Sequence, residues 1–141
     1  MKPDRQEMLQ EYFKRYGSLS IESEPETLAE FYDGSFLAAG PGGGAAFRND
    51  ESFLAWLREL RKFNVNAGMT SMSPAALTET PVGGGYSLVT VTWAATFART
   101  GDAPIRFHIS YLLRESAEGL KVAGYISHED QEEMMRAAGL S

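Results

Sequence analysis

Proton transfer within a protein needs a carboxylate or an imidazole whose pKa lies near the working pH, and this chain offers few in apolar surroundings. Asp33, which follows Phe31 and Tyr32, leads them. Lifting an Asp from about 3.9 to about 6 means roughly 3 kcal/mol of disfavoured charge, so such a carboxyl must be desolvated. In that role Asp33 would remove a proton next to a carbonyl, and Tyr32 or Tyr111 would steady the enolate. The competing reading is that Asp33-Gly34 simply ends a helix in a turn, as these residue types do.

The other ionisable candidates have simpler explanations. His108 lies in an apolar run beside Ser110 and Thr92 on one face, which fits a dimer contact or a solvated ring unless a bulge turns it inward. His128, Glu129 and Asp130 are consecutive. Adjacent residues on a helix point apart, and no second His sits four residues away. Helix-start electrostatics explains the group, and neither a metal nor a cofactor is expected. The glycines between Gly40 and Gly44 lack the preceding strand, following helix and Lys-Ser/Thr pair of a phosphate loop, so they read as a tight turn between extended pieces.

A flat apolar ligand is the alternative to proton chemistry. Trp93 and Tyr111 each join a large ring to a hydrogen-bond donor, and either could stack on such a molecule or simply fill the core. The expected ligand wall is Tyr32, Phe36, Val91, Trp93, Phe107 and Tyr111, with Gly124 leaving room on the same face. Tyr12 and Tyr16 recur with Met8, Leu9 and Phe13 at helical spacing and read as packing residues.

Three apolar segments must carry this wall: 86–97, 105–113 and 120–127. Their period of two gives each strand two faces. Val89, Val91, Trp93, Ala95 and Phe97 share one face with Phe107, Ile109, Tyr111 and Leu113, and with Leu120, Val122, Gly124 and Ile126. The other face takes the Thr, Ser, His and Lys residues, together with Tyr125 and Ser127. Short polar loops join the segments, so they form an antiparallel meander.

Helices precede and follow it. The spacing predicts one over 3–16, ended by Gly17. A second starts at Ser23-Glu24-Pro25 and continues over 27–32. A third starts at Asn49-Asp50 and carries Phe53, Leu54, Trp56, Leu57, Leu60 and Phe63. An outer strand over 69–77 bends at Pro74, and a loop over 81–85 leads into the meander. Ser127 is expected to cap a last helix that Gly139 stops.

At 141 residues the chain suits one domain over 1–141, able to bury roughly 70% of its unfolded surface. Cysteines are absent, which excludes disulfide and thiol chemistry and fits a reducing cytoplasm. The N-terminal stretch lacks the apolar core of a signal peptide, and no apolar run reaches membrane-spanning length. The net charge of −6 and dispersed basic residues argue against nucleic-acid binding. A cytoplasmic protein bound to neither nucleic acid nor membrane is expected.

Phe31-Tyr-Asp-Gly-Ser-Phe36, Phe47 with Asn49 before Phe53-Leu-Ala-Trp-Leu57, Ser110-Tyr-Leu-Leu-Arg114 and 119–128 together resemble the NTF2-like superfamily, and within it small bacterial SnoaL-like proteins. The resemblance covers nearly the whole chain. It implies an α+β fold, a cone-shaped curved antiparallel sheet wrapped around N-terminal helices. It further implies a pocket between the concave face and the helices, and a homodimer through the convex face. Members include isomerases, cyclases and dehydratases, usually with an Asp inside the cone, and many without known activity. Three functions stay open: binding a small apolar or aromatic molecule, isomerase, cyclase or dehydratase chemistry on a carbonyl-bearing cyclic substrate, and a non-catalytic partner domain.

Overall fold

A computed structural model describes residues 4–22, 24–99, 101 and 103–139. The elements run α1 (Arg5–Glu22), α2 (Pro25–Ala29), β1 (Tyr32–Gly40), β2 (Gly43–Arg48), α3 (Glu51–Asn66), β3 (Met69–Gly83), β4 (Tyr86–Phe97), β5 (Ile105–Ser116), β6 (Gly119–Ser127) and α4 (Gln131–Ala137). Pro3, Ser23, Thr100, Asp102 and Leu140, which the sequence reading assigns to helix starts, a hairpin loop and the segment past the last helix, lie outside the described residues.

The strands form one curved sheet in the order β2-β1-β6-β5-β4-β3. Neighbours are antiparallel except β1 and β6, which are parallel. The meander β4-β5-β6 therefore stands as expected, and the β1–β2 hairpin extends the sheet from the far side of β6. Its connection, Pro41-Gly42, is the tight turn that the glycine cluster predicts.

β4 and β5 keep the expected alternation. Val89, Val91, Trp93 and Ala95 are fully buried, as is Leu113, and Tyr111 nearly so. Leu9, Phe13 and Tyr16 of α1 and Phe53 and Leu57 of α3 join them in one core. Each such side chain contributes about 1.5–3 kcal/mol through burial, so this inner face dominates the stabilisation of the fold.

Five local expectations are corrected. The first concerns the phase of β6. Leu113 pairs with Val122 but Leu112 pairs with Gly124, leaving Ala123 as one extra residue in a bulge. Beyond it the faces exchange, so Tyr125 and Ser127 turn inward, and Gly124 and Ile126 turn out. Gly124 leaves no room in the cavity. A Cβ there would stand 3.2 Å from the Leu37 carbonyl oxygen, so glycine admits the close approach of β1.

The second is the end of the first helix, which runs through Gly17 to Glu22. Gly17 is needed because α1 touches β3 at that point, where a Cβ would lie 2.3 Å from the Met72 carbonyl oxygen. The third is the second helix, which ends at Ala29, so that Tyr32, Asp33 and Gly34 open β1 instead of closing a helix. Asn49 holds this crossing, donating from Nδ2 to the Ala29 carbonyl at 2.8 Å and to that of Tyr32 at 3.2 Å. The fourth is the last cap. Ser127 stays in β6, and Asp130 caps α4 by accepting from the Glu133 amide. The positive φ of 77° at Gly139 follows the helix end, as expected for glycine. β3 also exceeds its expected span, continuing to Gly83 with register shifts at Pro74/Ala76 and Pro81/Gly83 that absorb its two prolines.

Candidate functional site

Between the concave face, α3 and the β1–β2 hairpin lies an open cavity of about 1150 Å³. Four elements carry its floor. Tyr16 enters from α1, Tyr32 from the start of β1, and Tyr111 and Tyr125 from the paired strands β5 and β6. The alternation of β5 turns Tyr111 inward, and the bulge in β6 does the same for Tyr125.

The floor hydroxyls form a chain. The Trp93 indole N–H, from the layer beneath, donates to the Tyr111 hydroxyl at 3.0 Å. Because indole only donates, Tyr111 keeps its own proton to give. Tyr111 is hydrogen-bonded in turn to Tyr16, and the Tyr16 and Tyr32 hydroxyls are hydrogen-bonded to each other. Burial pushes Tyr16, Tyr32 and Tyr111 well above the ordinary phenol value, so all three stay protonated. Tyr125 is pushed up by burial as well. Its ring stands 6.3 Å from that of Tyr111 and 6.5 Å from that of Tyr32, and its hydroxyl has no hydrogen-bond partner among the described residues.

From floor to mouth the wall is aromatic. Phe36 packs on Tyr32 and Phe53, with ring centroids 4.8 and 4.6 Å apart. Phe47 stacks on Phe36, and Trp56 on Phe53. Phe47, Trp56 and Leu60 line the cavity yet remain 43%, 47% and 38% exposed, forming an apolar rim open to solvent.

Four carboxylate residues reach the cavity wall: Asp50, Glu59, Glu129 and Asp130. Each carboxylate is engaged. Asp50 caps α3 through the Phe53 amide and Asp130 caps α4, while Glu59 accepts from Lys62 in solvent and Glu129 accepts from His108. None is a free, desolvated base.

Tyr32, Phe36, Phe107 and Tyr111 of the expected wall lie on the cavity surface. Val91 and Trp93 do not, being fully buried in the layer below. Asp33 is also off the wall, because it follows the inward-facing Tyr32 and so points outward. Both its oxygens accept from Arg114, from Nε at 2.7 Å and Nη2 at 2.6 Å. The Arg114 hydrogen bonds, opposed by partial burial, hold its carboxyl below the usual Asp value, which is the reverse of what a general base in a cavity requires. His108 keeps the outward place that its strand phase predicts. His128 and Glu129, expected at a helix start, fold back onto β5 instead, ahead of α4.

Sequence reasoning passed over Tyr16, Tyr125 and the rim. Tyr16 sits in an ordinary helical stripe, and nothing local signals that its hydroxyl meets Tyr32. Tyr125 is hidden by the bulge. Phe47 and Trp56 were visible as aromatics flanking the third helix start, and their exposure is the feature that alternation alone does not give.

A curved α+β sheet closed by helices around an aromatic cavity defines the cystatin-like class of cones. The chain belongs to the family described as NTF2-like protein (DUF6841), whose model matches residues 4–130. Among solved structures it is similar to an NTF2-like protein with a cystatin-like fold from Novosphingobium aromaticivorans, with TM-score 0.68 and 18% identity over 93% of this chain and 86% of the other. It is also similar to the beta subunit of benzoate 1,2-dioxygenase from Burkholderia mallei, with TM-score 0.66 and 11% identity over 95% and 96%. The yeast UBP3-associated protein BRE5 gives TM-score 0.64 and 15% identity over 89% and 96%. At these identities the likeness is one of fold. No curated protein matches the sequence. No described helix is long and apolar enough to cross a membrane.

Proposed function

We propose that this protein binds a small, largely apolar molecule carrying at least one oxygen acceptor. The observation that carries the reading is the cavity floor, where buried phenols are held neutral beneath aromatic walls. Neutral donors suit a carbonyl or hydroxyl oxygen, and the ring-lined wall suits a flat skeleton. The volume of about 1150 Å³ lies just above the roughly 300–1,000 Å³ typical of small-molecule sites, which favours a multi-ring or similarly large ligand over a fragment.

Binding is favoured over turnover because every carboxylate on the wall is engaged and Asp33 is tied to Arg114. A ligand oxygen would reach Tyr125, whose hydroxyl is unclaimed among the described residues, and Tyr32, at the end of the hydroxyl chain. The convex face fits a homodimer, since Leu37, Leu88 and Ile126 are exposed on it, and the SnoaL-like resemblance points the same way.

Native mass spectrometry of protein taken directly from the expressing cell tests both parts. The expected result is a dimer retaining a small organic mass that Tyr125→Phe holds less well. A protein that neither carries such a mass nor takes up any member of a panel of polycyclic ketones and phenols would overturn the binding reading.

A further inference from the structure

The two histidines of the chain lie twenty residues apart in sequence and meet on the outer face of the sheet. Their ring centroids are 5.9 Å apart and their planes differ by 26°. We propose that His108 and His128 form an open two-imidazole site for a borderline transition-metal cation such as Zn²⁺.

Each ring is held by a partner that consumes one nitrogen. The Nδ1 of His108 lies 2.6 Å from Glu129 Oε1. A carboxylate accepts and does not donate, so Nδ1 carries the proton and Nε2 carries the lone pair. Glu129 is fixed in turn, because its other oxygen accepts from the His108 amide at 2.9 Å. A carboxylate behind an imidazole N–H is the usual support of a metal-binding histidine, since it fixes the tautomer and raises the basicity of the other nitrogen.

His128 is held differently. Its Nε2 lies 2.8 Å from Ser110 Oγ, and that hydroxyl lies 2.8 Å from Thr90 Oγ1. The tautomer this site requires has Nε2 donating to Ser110 and Ser110 donating to Thr90, which puts the lone pair of His128 on Nδ1. Each ring then offers one unshared pair.

The spacing fits a shared ion. With Zn–N bonds of about 2.0–2.1 Å, two imidazoles on one metal have centroids roughly 5 to 6.5 Å apart as the N–Zn–N angle opens from tetrahedral to linear. The observed 5.9 Å falls inside that interval. In the single chain the side chain of His108 is 43% exposed, so an aqueous ion can reach it. Among the described residues no group of three or more His, Cys, Asp or Glu could hold a metal, so water completes the coordination. Nitrogen donors select borderline metals over Mg²⁺, which requires oxygen ligands.

The Ser110–His128 pair also has the composition of an activated nucleophile. It fails that test because the carboxylate supports His108, not His128, and Ser110 is buried beneath the rings at 8% exposure. A serine so placed orients an imidazole instead of attacking a substrate.

Titration calorimetry on the tag-free full chain, with ZnCl₂ and with MgCl₂ as the hard-cation control, reads the site directly. Expected are one Zn²⁺ per chain, no Mg²⁺ heat, loss of the Zn²⁺ heat in both His108→Gln and His128→Gln, and weakening of about 10- to 100-fold in Glu129→Gln. Absence of Zn²⁺ binding by the natural chain, or unchanged binding in both histidine variants, would overturn the proposal. Imidazole ¹⁵N spectra of the natural chain keep the test independent of variant folding. Addition of Zn²⁺ should move His108 Nε2 and His128 Nδ1, and spectra in which neither moves count against the site.

Discussion

The two faces of β4 and β5 are built from alternating residues of the same two strands, yet they support different chemistry. Tyr111 and Trp93 point inward, where the polar atoms are phenol and indole groups hydrogen-bonded to one another. Ser110 and His108 point outward, where the polar atoms include imidazole, carboxylate and guanidinium. Desolvation sorts them. A buried group keeps its neutral form unless it is paired, whereas a half-exposed one can carry charge. The inner face can therefore offer neutral donors to an apolar ligand, and the outer face can hold ion pairs and free imidazole lone pairs.

The largest test of this contrast compares adjacent positions. Trp93→Ala removes a fully buried indole and leaves the Tyr111 hydroxyl without its donor, and should cost about 3–5 kcal/mol. Thr92→Ala, one residue away on the outer face, should stay within about 0.5 kcal/mol. Urea unfolding of the pair measures both. Similar losses at the two positions would mean that the faces are not energetically distinct.

A smaller effect is expected where helix meets sheet. Gly17→Ala places a Cβ against backbone, at 2.3 Å from the Met72 carbonyl oxygen, and the resulting shift should cost about 1–3 kcal/mol. Gly34→Ala meets nothing within 4 Å and should be neutral or stabilising by about 0.4–1 kcal/mol, through the unfolded chain. Thermal unfolding of the two variants should move the midpoint in opposite directions or leave Gly34→Ala unmoved. A stable Gly17→Ala would show that α1 can lift from β3 at little cost.

The same alternation explains what the sequence could disclose. The phases of β4 and β5 were legible because each has one strongly apolar face, and that face had to be buried. The meander followed from short polar loops. What escaped depends on contacts between distant segments. The bulge at Ala123 adds a single residue, and no composition cue marks it, so Tyr125 and Gly124 were placed on each other's faces. Gly17 reads locally as a helix stop, and only the approach of β3 shows that it is a packing residue. Asp33 reads as a turn or a base until Arg114, eighty-one residues later, is brought beside it. The floor of the cavity was half legible for the same reason: Tyr32 and Tyr111 stand in patterned strands, whereas the role of Tyr16 is created by its partner.

The Asp33–Arg114 pair tests the outer half of the contrast through pH. The folded-state pKa of Asp33 is lowered, chiefly by the Arg114 hydrogen bonds. Its contribution to stability is therefore complete above the unfolded-state value of about 4, and is lost as pH falls through the lower folded-state value. Asp33→Asn should unfold at a lower temperature than the natural chain at neutral pH, and the two curves should converge under strongly acidic conditions. A gap that persists there would assign the loss to packing instead of charge. The variant should retain whatever ligand the cavity holds, because Asp33 is off the wall.

Tyr125 gives the smallest effect on stability and the sharpest test of the inner face. Its hydroxyl serves no described partner, so Tyr125→Phe removes no internal hydrogen bond and should alter stability by no more than about 0.5 kcal/mol. Tyr32→Phe breaks the chain to Tyr16 and leaves a buried phenol with one fewer partner, which should cost about 1–3 kcal/mol. Ligand affinity should report the other half. A hydrogen bond from Tyr125 to a ligand oxygen is worth about 0.5–1.5 kcal/mol, or roughly two- to tenfold in Kd. Tyr125→Phe should thus weaken a ketone or phenol without touching the unfolding midpoint, and should leave the affinity of a hydrocarbon of the same shape unchanged. If both ligands weaken equally, Tyr125 acts through the shape of the wall. If only the oxygen-bearing ligand weakens, the floor selects its ligand by a donor kept neutral and unpaired for that purpose.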